Sequence, residues 1–254
     1  MRARRLLSML LALTACGAPA TLDLRGEDVF PRYLVGRSSG TLTIDGRLSD
    51  DAWRCVPTTG PFEDGARSGA PFGSGARRVG GRLWVEARLL FDDERIVVAA
   101  RIAAPLPGGA NERVFAASAP GHAFGIVLDP GSGSVTEIVV RPAGGLTVRQ
   151  AGPTGHEPHL VDHIPVELGT DLTRLTRVAS EGGTPLPEWS FELGVPFAAL
   201  GQGGTQPRAG DEWRANFWCC AELEGEVVCW APSNGADPLD GRLGWLDFLD
   251  GPLP

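Results

Sequence analysis

The chain has 254 residues, a formal net charge of −8, 35 glycines and 21 prolines. This acidic balance argues against a nucleic-acid-binding protein, which needs a basic surface. The length allows one large β domain or two small ones. Because short apolar runs recur between glycine and proline turns, the sequence predicts an all-β sandwich or barrel with only short helical turns.

The first sixteen residues have the features of an export signal. Three arginines precede a short apolar run, Leu6 to Leu13, which is too brief to span a bilayer. The run ends in Leu-Thr-Ala-Cys, which resembles the lipobox of bacterial lipoproteins, where Cys16 would carry lipid and become the N-terminus. The alternative is an ordinary secretory signal in which Cys16 is incidental. We therefore expect a signal peptide over residues 1–15, a tether over 16–38 and a single domain over 39–254, anchored by lipid to the bacterial cell envelope at the outer membrane. The alternative for the end of the tether is an edge strand formed by the apolar residues between Val29 and Val35.

The strands are predicted from apolar residues with a period of two. After a strand at Thr41–Ile44, the clearest pair is a hairpin at Leu83–Phe91 and Ile96–Ile102, joined by an acidic turn. A lone hairpin is marginal in water, so its apolar face needs a second sheet to cover it. Further strands are expected over residues 123–128, 136–141, 146–150, 189–193, 211–220 and 227–232, with a last strand ending at Phe248.

Four cysteines remain after the signal, and export would place them in an oxidising compartment. Residues 215–232 are predicted to form a hairpin that puts Cys220 opposite Cys229, while Cys219 points to the other face and could reach Cys55. Disulfides Cys220–Cys229 and Cys55–Cys219 are therefore expected, with buried thiols as the alternative. A metal shared by Cys219 and Cys220 is disfavoured because adjacent strand residues point to opposite faces.

The order of these segments resembles a known family. The series LTIDGRLSDDAW, LLFDDERIVVAARI, FGIVLDPGSG, TEIVVRPAG, WSFELGVPFAALG, GDEWRANFW, WAPSNG and GRLGWLDF is similar to the carbohydrate-binding module family 9 domains over residues 40–250. The resemblance implies a two-sheet antiparallel β-sandwich, immunoglobulin-like or jelly-roll-like, that holds a sugar between aromatic rings. Structural calcium is common in the family, and no other cofactor is expected.

The chain departs from the family pattern near one strand. His122 and Gly125 stand where an acidic residue and a glutamate are usual, and Arg141 stands where an asparagine is usual. These changes put the family's calcium in doubt. Asp92 and Asp129 remain calcium candidates, although an aspartate beside a turn is more often a turn former.

Sugar binding needs flat apolar surface together with hydrogen-bonding groups. Trp84 is out of phase with the core residues of its strand, so we expect it to face outward. Trp230 precedes a loop that carries Asn234 and Asp237 as hydrogen-bonding candidates. Two further stacking candidates are Trp218 and Trp245, and half-buried packing is the alternative for each tryptophan. The remaining three are expected in the core: Trp53, Trp189 and Trp213.

The sequence contains no G-x-S-x-G elbow, no H-E-x-x-H and no glycine-rich phosphate loop. A glycosidase's pair of carboxylates stays open as an alternative, because those residues are paired in space and not in sequence. The function predicted is therefore non-catalytic binding of poly- or oligosaccharide by a lipid-anchored sandwich. One alternative is a structural or interaction lipoprotein that keeps the sandwich and has lost the sugar site. Another is a haem-binding relative, in which only histidine could ligate the iron because no Met or Lys follows the signal. The sequence predicts no oligomeric state.

Overall fold

The computed structural model describes residues 30–60, 62–64, 84–103, 122–131, 133–152, 159–161, 165–176, 186–201, 205–221, 226–231, 243–251 and 253. Cys16, Asn234 and Asp237 lie outside the described residues, as does the predicted export signal. Among the described segments, none forms a helix that is long and apolar enough to cross a membrane.

The described chain is built from strands and two 3-10 turns, Asp51–Trp53 and Phe197–Ala199, so the predicted all-β class is confirmed. The strands are β1 Arg32–Arg37, β2 Glu63–Asp64, β3 Trp84–Phe91, β4 Arg95–Ala103, β5 Ala123–Asp129, β6 Val135–Val140, β7 Leu146–Ala151, β8 His159–Leu160, β9 Glu167–Thr176, β10 Leu186–Pro196, β11 Glu212–Ala221, β12 Glu226–Cys229 and β13 Gly244–Phe248.

The strands form two sheets that β1 joins. Sheet A has the order β8-β7-β6-β5-β11-β13, with β12 on the second half of the β11 edge and β2 beyond it. Sheet B has the order β3-β4-β10-β9. The first four residues of β1 pair with β13 and its last two, Gly36 and Arg37, pair with β3, both in parallel. The sandwich is therefore antiparallel except at β1, and it begins inside the segment 16–38 that was predicted as a tether.

The core lies between the inner faces of the two sheets. The predicted hairpin is confirmed: β3 pairs with β4 in antiparallel register, and Val85, Ala87, Leu89 and Phe91 point inward. Across the core Phe124 packs against Phe191 with their ring centroids 5.2 Å apart. Two predicted core tryptophans lie in this cluster: Trp189 and Trp213.

A second, smaller core covers part of the outer face of sheet B. Residues 41–44 form no strand, contrary to prediction; the segment 40–56 instead lies across β3 and β4, where Leu42 and Trp53 pack on Leu90 and Val97. Both faces of the central hairpin are therefore buried at this end, which explains why its apolar pattern is nearly continuous.

A buried carboxylate fastens this segment to sheet B. Glu192 accepts hydrogen bonds from the backbone N–H groups of Asp45 (3.0 Å) and Gly46 (2.9 Å), and from Trp53 Nε1 (2.7 Å). Beside it, Ser190 Oγ donates to the Gly46 carbonyl at 2.6 Å. Burial raises the pKa of the Glu192 carboxyl, and the three donors act in the opposite direction.

The predicted cysteine pairs are not formed. Cys220 lies opposite Val227, and Cys229 lies opposite Trp218, so the register differs by two residues from the predicted one. Cys219 is buried in the core between the sheets, whereas Cys55 is exposed after the 3-10 turn on the outer side of sheet B. None of the four described cysteines forms a disulfide in this structure.

Thiol labelling of the native chain distinguishes these arrangements. Burial raises the pKa of the Cys219 thiol, which lowers its thiolate fraction and its reactivity. We expect iodoacetamide to modify exposed Cys55 first and Cys219 only after unfolding, as read from peptide masses. Disulfide-linked peptides that carry label only after reduction would instead support the predicted pairs.

Candidate functional site

An outward-facing tryptophan lies flat on the outer face of sheet A. Trp218 is half-buried, and its neighbours Phe217 and Cys219 point into the core. The register places it opposite Gly125 on β5. A Cβ built on Gly125 would overlap the Cε2 and Nε1 atoms of the indole. The glycine is therefore what allows one face of the ring to rest on the sheet, and the chain's departure from the family pattern at this position has a structural reason.

A buried ion pair fixes the orientation of the ring. Trp218 Nε1 donates to Glu137 Oε1 at 3.1 Å, and Arg149 Nε donates to Glu137 Oε2 at 2.5 Å. Glu137 is fully buried, and the Arg149 side chain is 36% exposed. Both carboxylate oxygens are thus engaged from opposite sides, which holds the indole and the guanidinium in fixed positions.

We name Gly125, Glu137, Arg149 and Trp218 the Trp218 surface. Neither Glu137 nor Arg149 was predicted as a site residue. The signal was present, because the period of two in TEIVV and LTVRQ places both side chains on the face opposite the core residues Ile138 and Val148. Chemically, the surface offers an indole for the C–H face of a sugar ring and a half-exposed guanidinium for its hydroxyls.

Trp84 also faces outward, as predicted, at the start of β3 on the other sheet. It is half-buried, and the next residue, Val85, points into the core. Trp84 and Trp218 are therefore on opposite outer faces of the sandwich, and the structure does not bring them together in one site.

Trp230 is a core residue, and the prediction that it stacks on a sugar is wrong. Its side chain is 1% exposed, its Nε1 donates to the Thr59 carbonyl at 2.7 Å, and its ring lies 5.3 Å from that of Phe217. The residue is turned inward because it follows β12, whose Val228 occupies the same inner face.

Trp245 is outward-facing and half-buried, but arginines flank its ring. The guanidinium carbons of Arg32 and Arg214 lie 5.6 and 5.5 Å from the ring centroid, and these residues come from the two strands on either side of β13. Arg32 is held in turn by Asp247. A sugar that stacked on Trp245 would compete with two cation–π contacts, which makes Trp218 the better candidate.

The two aspartates proposed as calcium ligands act as turn formers. Asp92 Oδ1 accepts from the backbone N–H groups of Glu94 and Arg95, both at 2.9 Å, and Asp129 Oδ1 accepts from that of Gly131 at 2.9 Å. Within the described ranges, no three His, Cys, Asp or Glu side chains are close enough to hold a metal ion.

Comparison with known proteins identifies the fold. No family model matches the sequence, and no curated protein matches it. Among solved structures, a Bacteroides uniformis protein of provisional carbohydrate-binding assignment matches with a TM-score of 0.58 and 15% identity, over 87% of this chain and 100% of its own. A carbohydrate-binding module of family 9 from Caldicellulosiruptor kristjanssonii matches in its cellotriose complex (TM-score 0.54, 15% identity, 87% and 94% coverage). Its glucose complex also matches (0.53, 14%, 86% and 96%). The chain therefore has a family 9-like fold.

Proposed function

We propose that this family 9-like sandwich binds carbohydrate without catalysis, and that the Trp218 surface is its binding site. The observation that carries the proposal is the indole of Trp218, held flat over Gly125 and oriented by Glu137. Such a ring is already ordered before the ligand arrives, so stacking costs little conformational entropy. The proposal draws further support from the structural neighbours, of which one was solved with cellotriose and with glucose.

The charges of the Trp218 surface favour a neutral ligand. Glu137 and Arg149 form an ion pair, and the second Glu137 oxygen accepts from the indole, so neither sign of charge is in excess. A single exposed ring contacts one or two sugar units. The ligand we propose is therefore the end of a neutral plant or microbial polysaccharide, for which cellotriose is a suitable model compound.

We also propose that the protein acts at the cell envelope, attached through lipid on Cys16. The support is the lipobox-like Leu-Thr-Ala-Cys after a short apolar run. Residues 17–31 separate Cys16 from β1, which is enough chain to set the sandwich away from the membrane.

A second candidate is an interaction lipoprotein that has lost sugar binding. The observation in its favour is that, of the four predicted stacking tryptophans, Trp230 is buried in the core and Trp245 has two arginines over its ring. Under this hypothesis the Trp218 surface would pack against a protein partner.

A glycan array probed with the folded full chain, with and without calcium, decides between the two candidates. We expect retention on neutral oligosaccharides and no retention on sulfated or uronic-acid glycans of the same length. Retention that requires calcium would show that a metal ion takes part in binding, although Asp92 and Asp129 act as turn formers in this structure. A blank array from chain with a cooperative unfolding transition would contradict sugar binding and favour the interaction lipoprotein.

A further inference from the structure

The outer face of sheet B has a polar part that the 40–56 segment does not cover. The smaller core ends at Leu90 and Ala99, and beyond it the outward positions of the sheet carry a different set of side chains. Four of these make up what we name the Trp84 surface: Trp84, Glu86, Arg101 and Glu188. The register puts Arg101 directly opposite Glu86 on one side, and puts Trp84 and Glu188 on either side of Ala103.

The Trp84 surface carries one guanidinium and two carboxylates. Arg101 Nε lies 3.9 Å from Glu188 Oε1, beyond hydrogen-bonding distance, and has no hydrogen-bond partner among the described residues. Its side chain is 29% exposed, and Glu188 is 6% exposed. Burial raises the pKa of Glu86, against the attraction of Arg88 and Arg101. The Nε atom is buried, so only the exposed part of the Arg101 side chain can meet a ligand. A guanidinium between two carboxylates combines the donors and acceptors that a sugar's vicinal hydroxyls need.

The Trp84 surface repeats the layout of the Trp218 surface. In each, an outward tryptophan lies opposite a small residue on the next strand, which is Ala103 for Trp84 and Gly125 for Trp218. In each, the strand beyond supplies a buried glutamate that pairs with an arginine. The arginine differs in position: Arg101 lies on the strand between Trp84 and Glu188, whereas Arg149 lies one strand beyond Glu137. Gly125 lies under the Trp218 indole, and Ala103 is fully buried beside Trp84.

We propose that the Trp84 surface is a second binding site for neutral sugars, on the face opposite the Trp218 surface. The inference rests on the proposed function and goes beyond it, because it makes one chain bivalent. The two sheets pack about 10 Å apart and the sites lie on their outer faces. The sites therefore point away from each other and cannot hold one short oligosaccharide together. A chain with this arrangement bridges two polysaccharide strands, and bridging raises its retention on a polymer above that on a short ligand.

Calorimetric titration of the full chain with cellotriose tests the second site by stoichiometry. We expect two molecules bound per wild-type chain, one for Trp84→Ala, one for Trp218→Ala and none for the double variant. Trp245→Ala is the matched control and is expected to bind two, because its ring is flanked by arginines. Thermal unfolding of each variant verifies folding, and Trp84→Phe, which keeps an aromatic ring, is expected to keep two sites with the second weakened.

The stoichiometries distinguish failure of the second site from failure of the proposed function. One molecule bound by wild type, lost in Trp218→Ala and unchanged in Trp84→Ala, would overturn the second site and leave the proposed function in place. One molecule lost only in Trp84→Ala would overturn bivalence and move the sugar site away from Trp218. No binding by folded wild type would overturn both proposals.

Discussion

Replacing Glu192 by alanine is expected to destabilise the fold by about 3 to 5 kcal/mol. The substitution leaves three buried donors without their acceptor: the backbone N–H groups of Asp45 and Gly46, and Trp53 Nε1. Each orphaned donor costs roughly 1 to 3 kcal/mol, less where water can replace the carboxylate. Urea unfolding followed by circular dichroism measures the loss as a shift of the transition midpoint.

The matched control is Glu94→Ala, at an exposed turn position, for which a change within about 0.5 kcal/mol is expected. Glu192→Gln keeps one acceptor oxygen, so its loss in free energy of unfolding is expected to lie between those of Glu192→Ala and Glu94→Ala. If Glu192→Ala lowers the free energy of unfolding by less than about 1 kcal/mol, the carboxylate does not fasten the 40–56 segment to sheet B.

Replacing Gly125 by valine is expected to weaken cellotriose binding at the Trp218 surface roughly 30-fold, which corresponds to about 2 kcal/mol. The new side chain would occupy the space of the indole, so Trp218 must leave the sheet and its bond to Glu137. Valine is a favourable strand residue, so the fold survives with a cost of about 1 to 3 kcal/mol from overpacking. Calorimetry of the sugar and thermal unfolding measure the two effects separately.

Gly40→Val is the control, since a Cβ at Gly40 meets nothing within 4 Å. It is expected to leave both sugar binding and the unfolding temperature close to wild type. Wild-type affinity in a folded Gly125→Val protein would show that the flat placement of Trp218 is not needed for binding.

The sequence is sufficient to predict the strands whose side chains alternate strictly. In the hairpin around Asp92 and Asp93 the alternation identified both strands and the inward face, because a side chain's direction in a strand depends only on its position. The alternation also predicts that Trp84 faces outward and Trp189 inward, and both orientations are found in the structure.

What the sequence does not predict is which strands become neighbours. Trp218 and Trp245 both face outward, yet one rests on a glycine and the other is flanked by arginines, and only the strand order decides this. The predicted pairing of Cys220 with Cys229 was wrong for a related reason. It depended on a turn position assumed from the sequence, and moving that turn changes every cross-strand pair of the hairpin. The cover over sheet B was missed because residues 41–44 alternate like a strand, although they make no sheet pairing.

The measurement that tests sugar binding at Trp218 most directly is a ¹H–¹⁵N spectrum of the seven indole N–H groups during titration with cellotriose. The Trp218 signal is assigned from its absence in Trp218→Phe. We expect a saturable shift of this signal, while the signals of buried Trp53, Trp189 and Trp230 remain in place. A folded protein in which the Trp218 signal stays unchanged up to the solubility limit of the sugar would contradict sugar binding at Trp218.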